Sequence, residues 1–565
     1  MHTMSPVRRI PALVLLVVML GSLVIGCGGN PSSPPSNAVV VRMLYGSEKQ
    51  AWLEAVTPAF NTQRNQTSTG KPIFVEAIPM GSTESMQVIL NGTEQPAVWS
   101  PASGILLPLA NQEWASRNGC QRLTEDAPPP LVLSPVVIAM WQPMAEALGW
   151  PEQPIGWTEI AELAASGKTW ADYGRPEWGP FQFGHTHPDY SNSGIASIIA
   201  ITYAATGKTR GLTIEDVQSP AVAELMQAVQ SGVIHYGRST GFFGRQMFNR
   251  GPGYLSAAVL YENLVVEAYD QTRFSNLALP IVAIYPREGT FWTDNPYAIL
   301  DAPWMTDELR EAATIYRDYL LAPEQQQTAL SLGYRPADTT IPLSAPLIAA
   351  NGIDPQEPRT LLEVPNANVL RAIREVWGAT KKRVEVQIVV DISGSMNDEA
   401  RLLNAKRALD VFINQLDDQD HVGIIVFSDI ATELTPLTDL GPKRDDVLNR
   451  IAGLSALGRT RLIDTVVEAY QTLQQEPAGE RIRAIVVLSD GADKQSRTRP
   501  EQLQALIGQD ESGRSIKIFA IAYGSGGLDL DLLREMAEVT GGQLYKSNNN
   551  AAEIEEVYRD IATFF

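Results

Sequence analysis

From residue 39 to about 375, short apolar runs alternate with longer stretches whose apolar residues recur at helical spacing. "VVVRMLYGS" reads as a buried strand that breaks at Gly46-Ser47, and "EKQAWLEAVTPAFNTQ" as the helix after it. "KPIFVEAIPM" and "TESMQVILN" repeat the strand–helix pair, and "AVWSPASG", "LVLSPVVIAM", "GPFQFGHTH" and "IVAIYP" continue the series. Alternation of this kind predicts an α/β fold with a mostly parallel sheet covered by helices. "LSPVVIAM" and "ALPIVAIYPREGTFWTDN" are apolar enough to be two crossings between lobes. "NANVLRAIREVWGATKKR" predicts a last helix and a basic joint, Lys381-Lys382-Arg383, which puts a domain boundary near 380.

From 385 the alternation is cleaner. "EVQIVVD", "HVGIIVFS", "IRAIVVLSDG", "SIKIFAIAYG" and "GQLYKS" predict strands, the last at an edge. "DEARLLNAKRALDVFINQL", "KRDDVLNRIAGL", "RLIDTVVEAYQTLQQ", "PEQLQALIG", "LDLDLLREMAEVTG" and "AAEIEEVYRDIATFF" predict the intervening helices. The expected result is a doubly wound, Rossmann-like domain over 385–565, whose ligands sit at the carboxyl ends of parallel strands.

The N-terminus departs from both patterns. Arg8 and Arg9 precede the apolar run "IPALVLLVVMLGSLVIG", which ends at "VIGC". This is the pattern of an export signal and is set aside from the fold. Its end resembles a bacterial lipoprotein lipobox, which would make 1–27 the signal peptide and Cys27 the lipidated first residue. The polar "GGNPSSPPSN" that follows suits a flexible tether over 28–38. A plain signal peptide or a short membrane anchor is the alternative. Acyl methylenes would hold the chain to a bacterial membrane, on its extracellular or periplasmic side, at about 0.8 kcal/mol each. With Cys27 so used, Cys120 has no intramolecular partner and no disulfide is expected.

The 565 residues suit two to four domains, and 44 % hydrophobic with 19 % charged residues is an ordinary globular balance. The net charge of −20 repels phosphate backbones and argues against nucleic acid as a partner. Metal ions and basic surfaces are compatible with it.

Three of the predicted loops, two of them at strand ends, carry short oxygen donors. "IVVDISGSM" supplies Asp391, Ser393 and Ser395; "LGRTRLID" supplies Thr460; "AIVVLSDG" supplies Asp490. None is a soft ligand, so a hard divalent cation is the ion they suit. These positions resemble the metal-ion-dependent adhesion site of von Willebrand factor A domains, and the strand and helix order of 385–565 agrees with that family. The resemblance implies that the two serines and the threonine bind metal directly, that the aspartates act partly through water, and that an open position accepts an acidic residue of a protein partner. Mg²⁺ is the expected ion, with Mn²⁺ and Ca²⁺ as alternatives. Helix capping by the serines and a turn role for Asp490 form the competing reading. Asp464 and Asp493 are expected near the same edge, as supporting or loop-capping groups.

In the first body, Ser47 precedes the first helix, and Ser191 and Ser193 precede the helix "IASIIAITYAA", with Gly194 permitting close backbone approach. Helix N-termini with hydroxyls attract anions, so two of them across a cleft suit a small oxyanion or carboxylate. The pieces "YGSEKQAWLEAVTPAFN", "SPVVIAM", "HPDYSNSG", "VLYENLVVE", "IYPREGT" and "GYRPAD", in this order, resemble the type II extracellular solute-binding proteins. That resemblance implies a two-lobed domain over 39–380 and adds Ser100, Ser134 and Tyr261 as ligand contacts. Plain N-capping would explain Ser47 and Ser193 without a ligand, and Asp189 would occupy or repel an anion. His185 and His187 lack a third zinc ligand at a compelling spacing and are expected to play ordinary roles. Trp292 is expected in the core, with stacking on a ligand as the alternative.

No nucleophile elbow, zinc-protease helix, P-loop or cysteine–histidine pair is present. Asp391 and Asp490 are better used on metal than as acid and base, so no enzyme is expected. The sequence therefore predicts a lipid-anchored protein that binds a protein partner through a divalent metal, with a module for a small ligand in front. The alternative is a transport or sensing receptor in which the second domain only docks.

Overall fold

The computed structural model describes residues 33–119, 121–475, 481–489, 493–507, 516–524, 529–540, 542–547, 551–562 and 564. The predicted lipobox with Cys27, Cys120 and Asp490 lie outside these residues.

The first lobe is a four-stranded sheet in the order Ala298–Ile299, Val98–Ser100, Val39–Tyr45, Ile73–Pro79. Val39–Tyr45 is parallel to both its neighbours, as predicted, and only Ala298–Ile299 runs against the sheet. β-branched and aromatic residues build the central strand, and its residues from Met43 to Tyr45 are buried between helices on both faces.

The second lobe corrects the expectation of a mostly parallel sheet. Its seven strands are mixed, and Val132–Trp141 runs antiparallel to Ala257–Tyr261, Ile281–Ile284 and Trp292–Thr293. The reason is the pair of crossings. One carries the chain out and the other brings it back, and they pair side by side with Ile138 opposite Ile284 and Ser134 opposite Thr293. After the return, Ala298–Ile299 joins the first sheet, and Tyr316 and Leu320 of helix Asp307–Leu320 pack into its core.

The C-terminal domain has six strands in the order Ala431–Asp439, His421–Phe427, Val384–Asp391, Ile482–Ser489, Lys517–Tyr523, Leu544–Ser547. All are parallel except Ala431–Asp439. That edge strand has no counterpart among the predicted elements, because only Thr435 in it is buried and Pro436 interrupts it. Val384–Asp391 is buried along its whole length. Val384, Val386, Ile388 and Val390 enter one apolar layer and Val389 the other, the signature of a strand covered on both faces.

The boundary near 380 falls where helix Ala367–Thr380 ends against the second lobe. The basic joint is neutralised by the next domain: Lys381 Nζ lies 2.9 Å and Arg383 Nη1 3.2 Å from the Asp417 carboxylate. Trp377, Tyr236, Phe412 and Ile561 belong to one continuous apolar cluster, so the two domains share a packed interface.

Candidate functional site

In a doubly wound sheet the binding edge lies where the strand order reverses. Here that point is between Val384–Asp391 and Ile482–Ser489. Asp391 ends the first of these and is fully buried. Its Oδ1 accepts from the Ser393 N–H at 2.8 Å, and its Oδ2 accepts from the Ser489 hydroxyl at 2.7 Å. The carboxylate is thereby fixed in orientation, with lone pairs to spare. Ser489 was not singled out in the sequence, where it reads as one more strand residue.

Ser393 flanks the short helix Gly394–Ala400 but makes no side-chain capping bond there. Its Oγ lies 3.1 Å from the Ser395 Oγ instead. The competing capping reading therefore does not hold for Ser393. The loop of Thr460 is tied to this first loop by Gly394 N–H donating to Gly458 O at 2.9 Å and Leu457 N–H to Ile392 O at 2.8 Å. A third loop joins through Thr460 O, which accepts from Lys494 N–H at 2.9 Å and Gln495 N–H at 3.1 Å. The fold thus brings the loops of Asp391, Ser393, Ser395 and Thr460 to one edge; Asp490 is outside the described residues.

Asp464 and Asp493 hold this third loop in place. Asp464 accepts from Arg497 N–H at 3.0 Å, Thr498 N–H at 2.9 Å and Arg461 Nε at 2.9 Å. Burial alone would raise its carboxyl, but these donors outweigh it and hold the group well below the usual carboxylate range. Asp493 accepts from Leu462 N–H at 3.0 Å and from the Ser496 hydroxyl at 2.9 Å.

The donor set fits a small hard cation. Adjacent oxygens of an octahedral Mg²⁺ shell lie about 2.9 Å apart, given metal–oxygen distances of about 2.0–2.1 Å. The serine hydroxyls, 3.1 Å apart, match neighbouring positions of such a shell. Among the described residues no cluster of three or more His, Cys, Asp or Glu could hold a metal.

In the first domain, Ser47, Ser100, Ser134, Ser191, Ser193 and Tyr261 are all buried. Ser193 Oγ lies 2.6 Å from Thr186 Oγ1 and accepts from Thr240 Oγ1 at 2.9 Å, while Ser191 Oγ is 3.0 Å from Thr240 Oγ1. Tyr261 OH accepts from Asn192 Nδ2 at 3.1 Å and lies 3.3 Å from Thr240 Oγ1, and Ser134 Oγ accepts from Asn263 N–H at 3.1 Å. A Cβ on Gly194 would lie 2.2 Å from Thr186 O, which is the close approach that residue permits. Ser47, Ser191 and Ser193 make no side-chain cap bonds at their helices. Among the described residues, the Ser47 and Ser100 hydroxyls and Asn263 Oδ1 are buried without a hydrogen-bond partner.

Sequence reasoning missed the ion pair beside Ser47. Lys49 is fully buried, with Nζ 2.6 Å from Glu48 Oε1 and 2.9 Å from Asn295 Oδ1. Burial lowers its pKa and Glu48 opposes that shift. In sequence, "SEK" is indistinguishable from an exposed helix start. Asp189 also departs from expectation. It pairs with Arg374 at 2.5 Å and lines a cavity of about 370 Å³ between the domains. His185 bonds Thr186 O at 2.7 Å, and His187 packs edge-on against Trp377. Burial pushes the two rings down to about 4 and about 3, consistent with ordinary core roles. Trp292 is half-buried and not in the core as expected; the Arg335 guanidinium lies 5.2 Å from its ring centre and covers one face.

Two family models match the chain: "Bacterial extracellular solute-binding protein" over 41–335 and "von Willebrand factor type A domain" over 385–560. A Mycobacterium tuberculosis protein of uncharacterized function is 22 % identical over 574 residues, covering 96 % of this chain and 81 % of that one. The bovine calcium-activated chloride channel regulator 1 is 28 % identical over 192 residues, 33 % of this chain; the match spans only 19 % of the bovine protein. Among solved structures, a periplasmic thiamin binding protein covers 61 % of this chain and 96 % of its own at 13 % identity and TM-score 0.44. A von Willebrand factor type A protein from Catenulispora acidiphila covers 33 % of this chain and 43 % of its own at 22 % identity and TM-score 0.29.

Proposed function

Since the chain belongs to the bacterial extracellular solute-binding protein family over 41–335 and carries a von Willebrand factor type A domain over 385–560, we propose that it is an exported lipoprotein, anchored at Cys27, that captures a protein partner through a divalent ion. The observation that carries this reading is the interlocking of the Asp391, Thr460 and Lys494 loops by backbone hydrogen bonds at the reversal of the sheet.

Asp391, Ser393, Ser395 and Thr460 would hold the ion, with Asp490 as support. When bound, it supplies a hard Lewis acid that accepts a carboxylate from the partner. The protein's part is orientation. Ser489 and the Ser393 N–H aim the Asp391 carboxylate, and the paired hydroxyls leave the site less negative than a cage of acids. Leu457 and Ile430, 79 % and 65 % exposed, stand on loops bonded to this edge, where apolar side chains serve contact with a protein surface. Titration of MgCl₂ into the full-length protein tests the reading. One site is expected in the wild type and none in Asp391→Ala, and capture of a cell-surface partner should vanish in chelator. Partner capture that is indifferent to chelator would refute it.

A second reading, a receptor for a small polar or anionic solute, is favoured by the unpartnered Ser47, Ser100 and Asn263 atoms, since buried polar groups are normally satisfied. The type A domain would then serve only for docking. Calorimetry with inorganic oxyanions and small organic acids separates the two readings: solute binding lost in Ser47→Ala/Ser100→Ala supports this one.

A further inference from the structure

Four cations stand around the candidate metal site without anions of their own. Arg459 adjoins Thr460, and Lys494, Arg497 and Arg499 lie on the loop whose Lys494 and Gln495 N–H groups bond Thr460 O. All four are exposed and, among the described residues, carry no ion pair. The neighbouring Arg461 differs, because Asp464 lies 2.9 Å and Glu468 3.4 Å from it.

Among the described residues, three carboxylates of these loops accept backbone N–H groups. Asp464 and Asp493 hold loop N–H groups, and Asp429 Oδ1 accepts from Arg459 N–H at 3.2 Å. In a chain of net charge −20, acids to neutralise a surface cation are plentiful, yet these four are left bare.

We propose that this rim recognises an acidic segment of the partner, in which one carboxylate goes to the metal and flanking carboxylates go to Arg459, Lys494, Arg497 and Arg499. The proposal rests on the metal-dependent reading for its central contact. The rim adds what one metal bond lacks: discrimination among partners by charge density around the bound acid, and electrostatic steering of encounter. It also reconciles an acidic protein with an acidic ligand, because the attractive field is local and screening hides the distant negative charge.

Fluorescence anisotropy with two labelled peptides tests it on the full-length protein in MgCl₂. One peptide holds a single glutamate among glycines and serines; the other has several further glutamates around it. The polyacidic peptide should bind about tenfold more tightly, with the advantage shrinking as salt rises. Arg459→Glu/Lys494→Glu/Arg497→Glu should bring the ratio near one while leaving the single-glutamate peptide sensitive to chelator. The glutamine triple variant should give an intermediate ratio, and circular dichroism checks that both variants fold. Equal affinity of the two peptides, or binding of neither, overturns the proposal. A retained polyacidic advantage with no effect of chelator leaves the rim standing and refutes the metal reading instead.

Discussion

Asp391 shows how one side chain can be structural and functional at once. Its two oxygens accept the Ser393 N–H and the Ser489 hydroxyl, so an asparagine there, which keeps one oxygen and puts an NH₂ in place of the other, sets a donor against one of them, at a cost of about 1–3 kcal/mol. Asp391→Asn should therefore fold with a lowered melting temperature and fail to bind Mg²⁺ in calorimetry; normal binding by the variant would remove Asp391 from the site. Buried histidines make a separate prediction. Burial depresses His185 to about 4 and His235 to about 3, below the ordinary value of 6.5. The unfolded chain therefore takes up protons first on acidification. Stability that is complete above pH 6.5 is lost as the pH falls toward 3–4, at about 1.4 kcal/mol per pH unit for each ring. Urea midpoints measured from pH 7.5 to 5 should show this slope, and His235→Phe, among the rings of Phe243, Tyr254 and Phe564, should flatten it.

At the scale of elements, the binding edge depends on loops that the strands position but do not shape. Gly458 has φ +88°, and a Cβ there would meet the Asp429 carboxylate at 2.5 Å. Gly458→Ala is expected to cost about 1–3 kcal/mol and to weaken Mg²⁺ binding, because Gly458 O accepts the Gly394 N–H that joins the first two loops. A variant with native Mg²⁺ affinity would show that this junction does not set the site. The doubly covered strands were legible because their apolar runs have no polar face to confuse the pattern. The edge strand Ala431–Asp439 was not, since its stability comes from pairing with His421–Phe427 rather than from burial. Ser47 and Ser193 likewise look like caps in sequence, and only the packed structure shows that neither makes a cap bond.

The whole molecule is tied together at Arg238. Its guanidinium binds Glu84 of the first lobe and lies 3.6 Å from Asp560 and 3.8 Å from Glu556 of the last helix, while Arg238 itself follows a second-lobe strand. Lobe closure and docking of the type A domain thus share one cation. Arg238→Ala would leave Glu84 and Asp560 without their common partner, an expected loss of about 1–3 kcal/mol at the interface. Amide exchange in helix 551–562 should then speed up about tenfold or more, and unchanged exchange would show that the apolar cluster alone holds the domains.

Hydrophobic periodicity was enough to determine two α/β bodies and the central strand that ends in Asp391, because each is a local pattern of burial. The run of hydroxyls and acids at the strand ends was visible for the same reason: strand ends are where an apolar run must stop. The tertiary structure decided what local pattern does not carry. It made Glu48 and Lys49 a buried pair, paired Asp189 with Arg374, ran the two crossings antiparallel and set Ser489 against Asp391. Each of these joins residues far apart in the chain or depends on which side of a loop faces the core, and such contacts arise only when whole elements pack.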